Sequence, residues 1–124
     1  MQVPILKQGH YVIATIQSAL TDRDLVQLRD ALAEQVGRFR SRGVIVDVTV
    51  LDVMDSFAVR TVRDIVHTTR LRGAETVIVG IQPDVAVAMV QLGLKLEGIA
   101  CALDLEEGLA YLEQVPRGGS ASER

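Results

Sequence analysis

Val44-Ile45-Val46-Asp47-Val48-Thr49-Val50-Leu51-Asp52-Val53-Met54-Asp55-Ser56-Phe57-Ala58 is the stretch whose reading decides the fold. Val44 to Val48 is almost entirely β-branched and apolar, as expected of a strand covered on both faces. Asp47, Asp52 and Asp55 then punctuate its exit. From Ser56 the apolar spacing becomes helical, through Phe57, Ala58, Val62, Ile65, Val66 and Thr69. Ser56 therefore stands at or beside a helix N-cap, with Asp55 the competing cap. A hydroxyl there has two readings. It can satisfy a free backbone N–H as a cap. It can also accept a phosphate, because a helix start offers N–H donors and partial positive charge to an anion.

The elements around this stretch alternate. Val3 to Leu6 is short and apolar, and Pro4 makes it an edge strand. Lys7-Gln8-Gly9-His10 reads as a turn, and Tyr11 to Ile16 as the second arm of a hairpin. Thr21 and Asp24 form a capping-box pattern, followed by Leu25, Leu28, Leu32, Val36 and Phe39 on one helical face. Arg38, Arg40 and Arg42 crowd the end of that helix, and Gly43 is its expected stop. The Ser56 helix runs to about Arg72, with Arg60, Arg63, His67 and Arg70 on its polar side.

Glu75 to Ile81 is another buried-type strand. Pro83 opens a helix carrying Val85, Val87, Ala88, Met89, Val90 and Leu92. Gly93 closes it, with Leu94 placed for the hydrophobic contact beyond a glycine cap. Ile99 to Leu103 is the last strand, with Cys101 expected as a small core residue. Asp104 caps a final helix through Leu105, Leu109, Tyr111 and Leu112. The order β β α β α β α β α implies an α/β fold with right-handed parallel crossovers and a mixed sheet. The expected domain spans 1–114, and the breaker-rich 115–124 is expected to be a flexible tail.

Composition narrows the function classes. The chain has 124 residues, a single-domain length. Its net charge of −3 and pI of about 5.3 come with no basic stripe, which argues against nucleic-acid binding. One cysteine excludes an internal disulfide and suits a reducing cytoplasm. No run is long and apolar enough to span a membrane, and the first residues lack signal-peptide order. Sequence motifs for nucleotide, dinucleotide, zinc or serine-hydrolase chemistry are absent, so neither a catalytic residue nor a cofactor is assigned. Asp47, Asp52 and Asp55 together suggest Mg²⁺ held as in a response-regulator receiver. A receiver also needs an acidic pair after its first strand, whereas here Tyr11 to Ile16 is followed by Gln17. Turn and cap chemistry shaping a protein-binding surface is the preferred reading of these acids.

The run from Asp47 to Asp55-Ser56 resembles the signature of STAS domains, the anti-sigma-factor antagonists and their relatives. In that family a strand ends in Asp, and eight residues later an Asp-Ser pair opens a helix. The likeness continues through Gly73 to Gly80 and Pro83-Asp84-Val85, and covers roughly residues 3–114. The family commonly reads Asp-Ser-Ser-Gly. Asp55-Ser56-Phe57-Ala58 is closer to the small stand-alone STAS proteins of the stressosome, which carry Asp-Ser-Phe.

The resemblance implies a five-stranded mixed sheet with four helices packed mainly on one face. It implies a cytoplasmic, non-catalytic signalling module phosphorylated on Ser56, with Asp55, Phe57, Thr21 and Asp22 at the partner surface. The implied partners are a GHKL-type serine kinase, released on phosphorylation, STAS scaffold homologues in a large assembly, and a resetting serine phosphatase. Neither nucleic acid nor membrane is expected as a partner, and the chain is expected to oligomerise. Two alternatives stay open. One is a simple antagonist that binds an anti-sigma kinase directly. The other is a structural subunit whose Ser56 only caps a helix.

Overall fold

The computed structural model describes residues 3–93 and 98–115. Five strands and four helices follow one another as β1 (Ile5–Gln8), β2 (Tyr11–Thr15), α1 (Asp22–Phe39), β3 (Gly43–Asp47), α2 (Ser56–Leu71), β4 (Glu75–Val79), α3 (Pro83–Gln91), β5 (Ala100–Ala102) and α4 (Leu105–Gln114). The sheet order is β1-β2-β3-β4-β5. β1 is antiparallel to β2, and the other three pairings are parallel. This is the expected mixed sheet.

The side-chain period of two divides the core into two layers. Val12, Ala14, Val44, Val46 and Ile78 join α1, α2 and α3 residues such as Leu32, Val62 and Met89 in the larger layer. Ile13, Ile45, Val77 and Val79 meet Leu112 of α4 on the opposite face. Three helices thus share one face, because successive right-handed crossovers that step in one direction leave every connection on the same side. α4 has no following strand to obey that rule, and it covers the other face. Its fit is close: a Cβ at Gly108 would stand 2.8 Å from Val79 Cγ1. The Tyr11 hydroxyl donates to Glu113, tying β2 to the end of α4. Burial, followed by that bond, raises the Tyr11 pKa above the ordinary tyrosine value.

β3 is the central strand, and Val44, Ile45 and Val46 are buried. The expected boundaries shift elsewhere. β1 runs through Lys7 and Gln8, which leaves Gly9 and His10 as the turn, with Gly9 at φ +59°. β2, β3, β4 and β5 end before Ile16, Val48, Gly80 and Leu103, because the chain turns there into loops. Gly43 does not stop α1. Arg40 adopts the left-handed cap at φ 51°, and Gly43 opens β3 against Leu112.

Phe39 is exposed, since it follows the last core contact, Val36. Cys101 is exposed as well. Its strand is a three-residue edge, so its side chain does not enter the core. On α3 only Val85 and Met89 are buried, and Val87, Val90 and Leu92 face outward. The contact expected at Leu94 and the tail from residue 116 lie outside the described residues.

Candidate functional site

All four parallel strands point their C-terminal ends the same way, so the loops leaving them gather at one end of the sheet. The loop from β3 to α2 is anchored at both ends by aspartate. Asp47 Oδ1 accepts from the Thr49 N–H at 2.9 Å and from the Thr49 hydroxyl at 2.6 Å, which turns the chain directly after the strand. Asp55 Oδ1 accepts from the Ala58 N–H at 2.8 Å and is the N-cap of α2. These carboxylates act on their own backbone. Among the described residues no group of three or more His, Cys, Asp or Glu side chains is placed to hold a metal ion.

Ser56 is consequently the first residue of the helix, one place past the cap. It is exposed, and no protein hydrogen bond engages its hydroxyl among the described residues. The N–H groups of Ser56 and Phe57 are likewise unbonded by protein there, so they add to the partial positive charge of the helix start. Asp55 is exposed beside Ser56. Phe57 is half-buried and packs against the larger core layer.

Thr21, the N-cap of α1, and Asp22, the first residue of that helix, stand at the same end of the sheet, and both are exposed. The Thr21 hydroxyl is occupied: it accepts from the Asp24 N–H, while Asp24 accepts from the Thr21 N–H, both at 3.1 Å.

Sequence reading missed what holds the loop from beneath. The Gln82 amide donates to the Thr49 carbonyl at 2.7 Å, bridging the loops that follow β3 and β4. Gly80 sits below at φ +77°, and a Cβ there would collide with the Thr49 hydroxyl. A glycine between an apolar run and Gln82-Pro83 is the sequence signal for this close approach. Val50 and Val53 project from the supported loop into solvent, and Leu103 does so from the loop after β5. Cys101 takes no part: its thiol donates to the Ile99 carbonyl at 3.6 Å, and partial desolvation by its neighbours raises its pKa although the residue stays exposed.

A mixed five-stranded sheet with three helices on one face and a fourth on the other defines the α/β class of this chain. The unphosphorylated anti-sigma factor antagonist SpoIIAA shares it at TM-score 0.70 and 15% identity, over 91% of this chain and 99% of that one. That likeness is one of fold alone.

The chain belongs to the STAS domain family, whose model matches residues 2–108. It is similar to a serine-to-glutamate variant of RsbS from Moorella thermoacetica, with 33% identity, TM-score 0.82, and coverage of 90% of this chain and 94% of that one. A chain of the stressosome, described as a signal integration and transduction hub, is 34% identical at TM-score 0.78, over 89% of this chain and 96% of that one. The RsbT co-antagonist protein RsbRA of Bacillus subtilis is 28% identical over 83 residues, which is 67% of this chain and 30% of RsbRA. RsbRD of the same organism is 26% identical over 81 residues, 65% of this chain and 29% of RsbRD. The chain therefore spans about three-tenths of the length of these two curated relatives. No helix among the described residues is long and apolar enough to cross a membrane.

Proposed function

We propose that this chain is a non-catalytic, phosphorylatable module of a stressosome-type partner-switching pathway. The face around Ser56 docks a GHKL-type serine kinase, and phosphorylation of Ser56 releases it. STAS scaffold homologues hold the chain in a large assembly, and a serine phosphatase resets it. Asp55, Phe57, Thr21 and Asp22 shape the docking face. The observation that carries this reading is the division of labour at α2. Asp55 serves as the cap, so the exposed Ser56 hydroxyl has no structural duty to abandon when it is modified. Similarity to RsbS over nine-tenths of the chain supports the choice of pathway.

Magnitudes favour release over unfolding. A phosphate adds about −1.5 to −2 charges. At about 5 Å in water, repulsion from Asp55 costs roughly 1–2 kcal/mol, and the helix start returns about 0.3–2 kcal/mol. The sum is small beside a domain stability of about 5–15 kcal/mol. Inside an interface the same group must shed its water, at a cost of several kcal/mol, and each 1.4 kcal/mol is about tenfold in affinity. Dissociation therefore precedes unfolding.

Titration of the cognate kinase with wild type, Ser56→Ala and Ser56→Asp tests the reading. Ser56→Ala retains binding and Ser56→Asp loses it. Equal affinity for all three chains would remove Ser56 from the contact.

A further inference from the structure

The end of the sheet away from Ser56 carries a cationic stripe. α1 and α2 finish there beside the β1–β2 turn, and the three expose Lys7, Arg38, Arg40 and Arg72. Side-chain contacts run along the stripe. Lys7 Nζ, from β1, lies 5.7 Å from the centre of the Phe39 ring on α1, and Arg38 Cζ lies 5.6 Å from it. Arg72, from the end of α2, reaches across to α1, where a Cβ at Gly37 would collide with its guanidinium. Hairpin, α1 and α2 thus present one continuous surface. None of these cations pairs with a carboxylate among the described residues. The acids nearby are engaged elsewhere, Glu75 by Arg70 at 3.6 Å and Glu113 by Tyr11.

Helix dipoles account for cations at helix ends. They do not account for the apolar groups exposed among them. Phe39 is 40% exposed, and Leu71, beside Arg72, is 88% exposed. An apolar centre ringed by charge is the anatomy of a protein contact, and aromatic and arginine side chains are favoured anchors in one.

Dimensions and chemistry narrow the partner. Packed helices lie about 8–10 Å apart, so a stripe that crosses from a hairpin over two helices is roughly 20 Å long. An extended segment of about six residues spans that distance. Phe39 on α1 and Leu71 on α2 stand about one interhelical spacing apart, which suits apolar residues two or three places apart in such a segment. All the cations but Lys7 are arginine, whose planar fork pairs with carboxylates. The chain as a whole has 16 Asp and Glu against 13 Lys and Arg. A bilayer or a nucleic acid extends past the stripe and meets those acids. A short segment stays within the reach of the cations alone, since charges are screened over about 10 Å at 0.1 M salt.

We infer that this end of the sheet docks an extended acidic segment of another protein. Two apolar residues of the segment sit on Phe39 and Leu71, and its carboxylates pair with Lys7, Arg38 and Arg72. The contact uses no residue of the Ser56 face, and its test does not involve the kinase, so it stands or falls apart from the proposed switch.

Fluorescence anisotropy with the full chain and a labelled peptide, Glu-Glu-Leu-Glu-Leu-Glu-Glu, tests it. The wild type binds the peptide at an ionic strength of about 0.05 M and releases it by about 0.5 M. Serine in place of both peptide leucines, or Phe39→Ser in the chain, weakens binding about tenfold. Arg38→Glu with Arg72→Glu weakens it by about tenfold or more, with a circular dichroism spectrum that stays native. Arg60→Glu with Arg63→Glu makes the same change in net charge on the exposed side of α2, and leaves binding at the wild-type level. A wild type that does not bind the peptide overturns the inference. So does binding that survives the Arg38–Arg72 reversal, or that falls equally in the Arg60–Arg63 variant. Stronger capture by phosphatidylserine vesicles or by single-stranded DNA than by the peptide also overturns it, and would give the stripe to a membrane or a nucleic acid.

Discussion

Helices α1 and α2 begin one loop apart at the same end of the sheet, and they meet the same demand with different residues. Each must satisfy N–H groups that have no partner inside the helix. At α1 the hydroxyl of Thr21 is the cap, and Asp24 reaches back to complete the box. At α2 the carboxylate of Asp55 is the cap, and the hydroxyl stands one residue later, on Ser56. A hydroxyl at the cap is tied to stability. A hydroxyl at the first helical position is exposed at no structural cost. On the proposed function, this one-residue offset separates a structural helix start from one open to modification, and the two starts can be compared by experiment.

The largest effect is expected in kinase binding. Ser56→Asp should lower affinity for the cognate kinase by about a hundredfold, the low end of the cost of an unpaired buried charge. Isothermal titration would show it. Thr21→Asp, which retains a capping side chain, should lower affinity far less. Equal losses at the two positions would erase the functional contrast between the helix starts.

Next in size is Gly80→Val. It forces a β-branched residue into φ +77° and drives a Cβ into Thr49, beneath the Ser56 loop and away from Thr21. Urea unfolding should report a loss of about 1–3 kcal/mol.

The caps follow. Thr21→Ala and Asp55→Ala should each cost about 1 kcal/mol in the same assay, whereas Asp55→Asn should be nearly neutral because Asn caps as well as Asp. The smallest effect belongs to Ser56→Ala, expected within about 0.5 kcal/mol of wild type. If Ser56→Ala cost more than Asp55→Ala, the assignment of the α2 cap would be reversed.

Much of this contrast could be read from the sequence. The β-branched run 44–48 marked the central strand, the Thr21–Asp24 spacing marked the α1 box, and Asp55-Ser56 marked the start of α2. The sequence leaves open which of the two residues caps α2, because Asp and Ser have similar cap preferences and only geometry separates them. Gly43 and Arg40 show a related limit. Glycine is the usual left-handed stop, but the helix ended earlier on an arginine, and Gly43 was needed where Leu112 crowds β3.

The placement of α4 alone on its face was not legible either, because no strand follows to fix its crossover. Cys101 and Phe39 carried apolar character without burial, since each lies just beyond the reach of the core. The Gln82–Thr49 bridge joins residues 33 apart, and a distant side chain bonding to backbone leaves no local pattern.

The most direct measurement is site-resolved mass spectrometry of the chain after incubation with its cognate kinase and ATP. The account predicts one phosphate on Ser56, with Thr21 unmodified. A phosphate on Thr21 with Ser56 untouched, or a chain left unmodified by an active kinase, would contradict it.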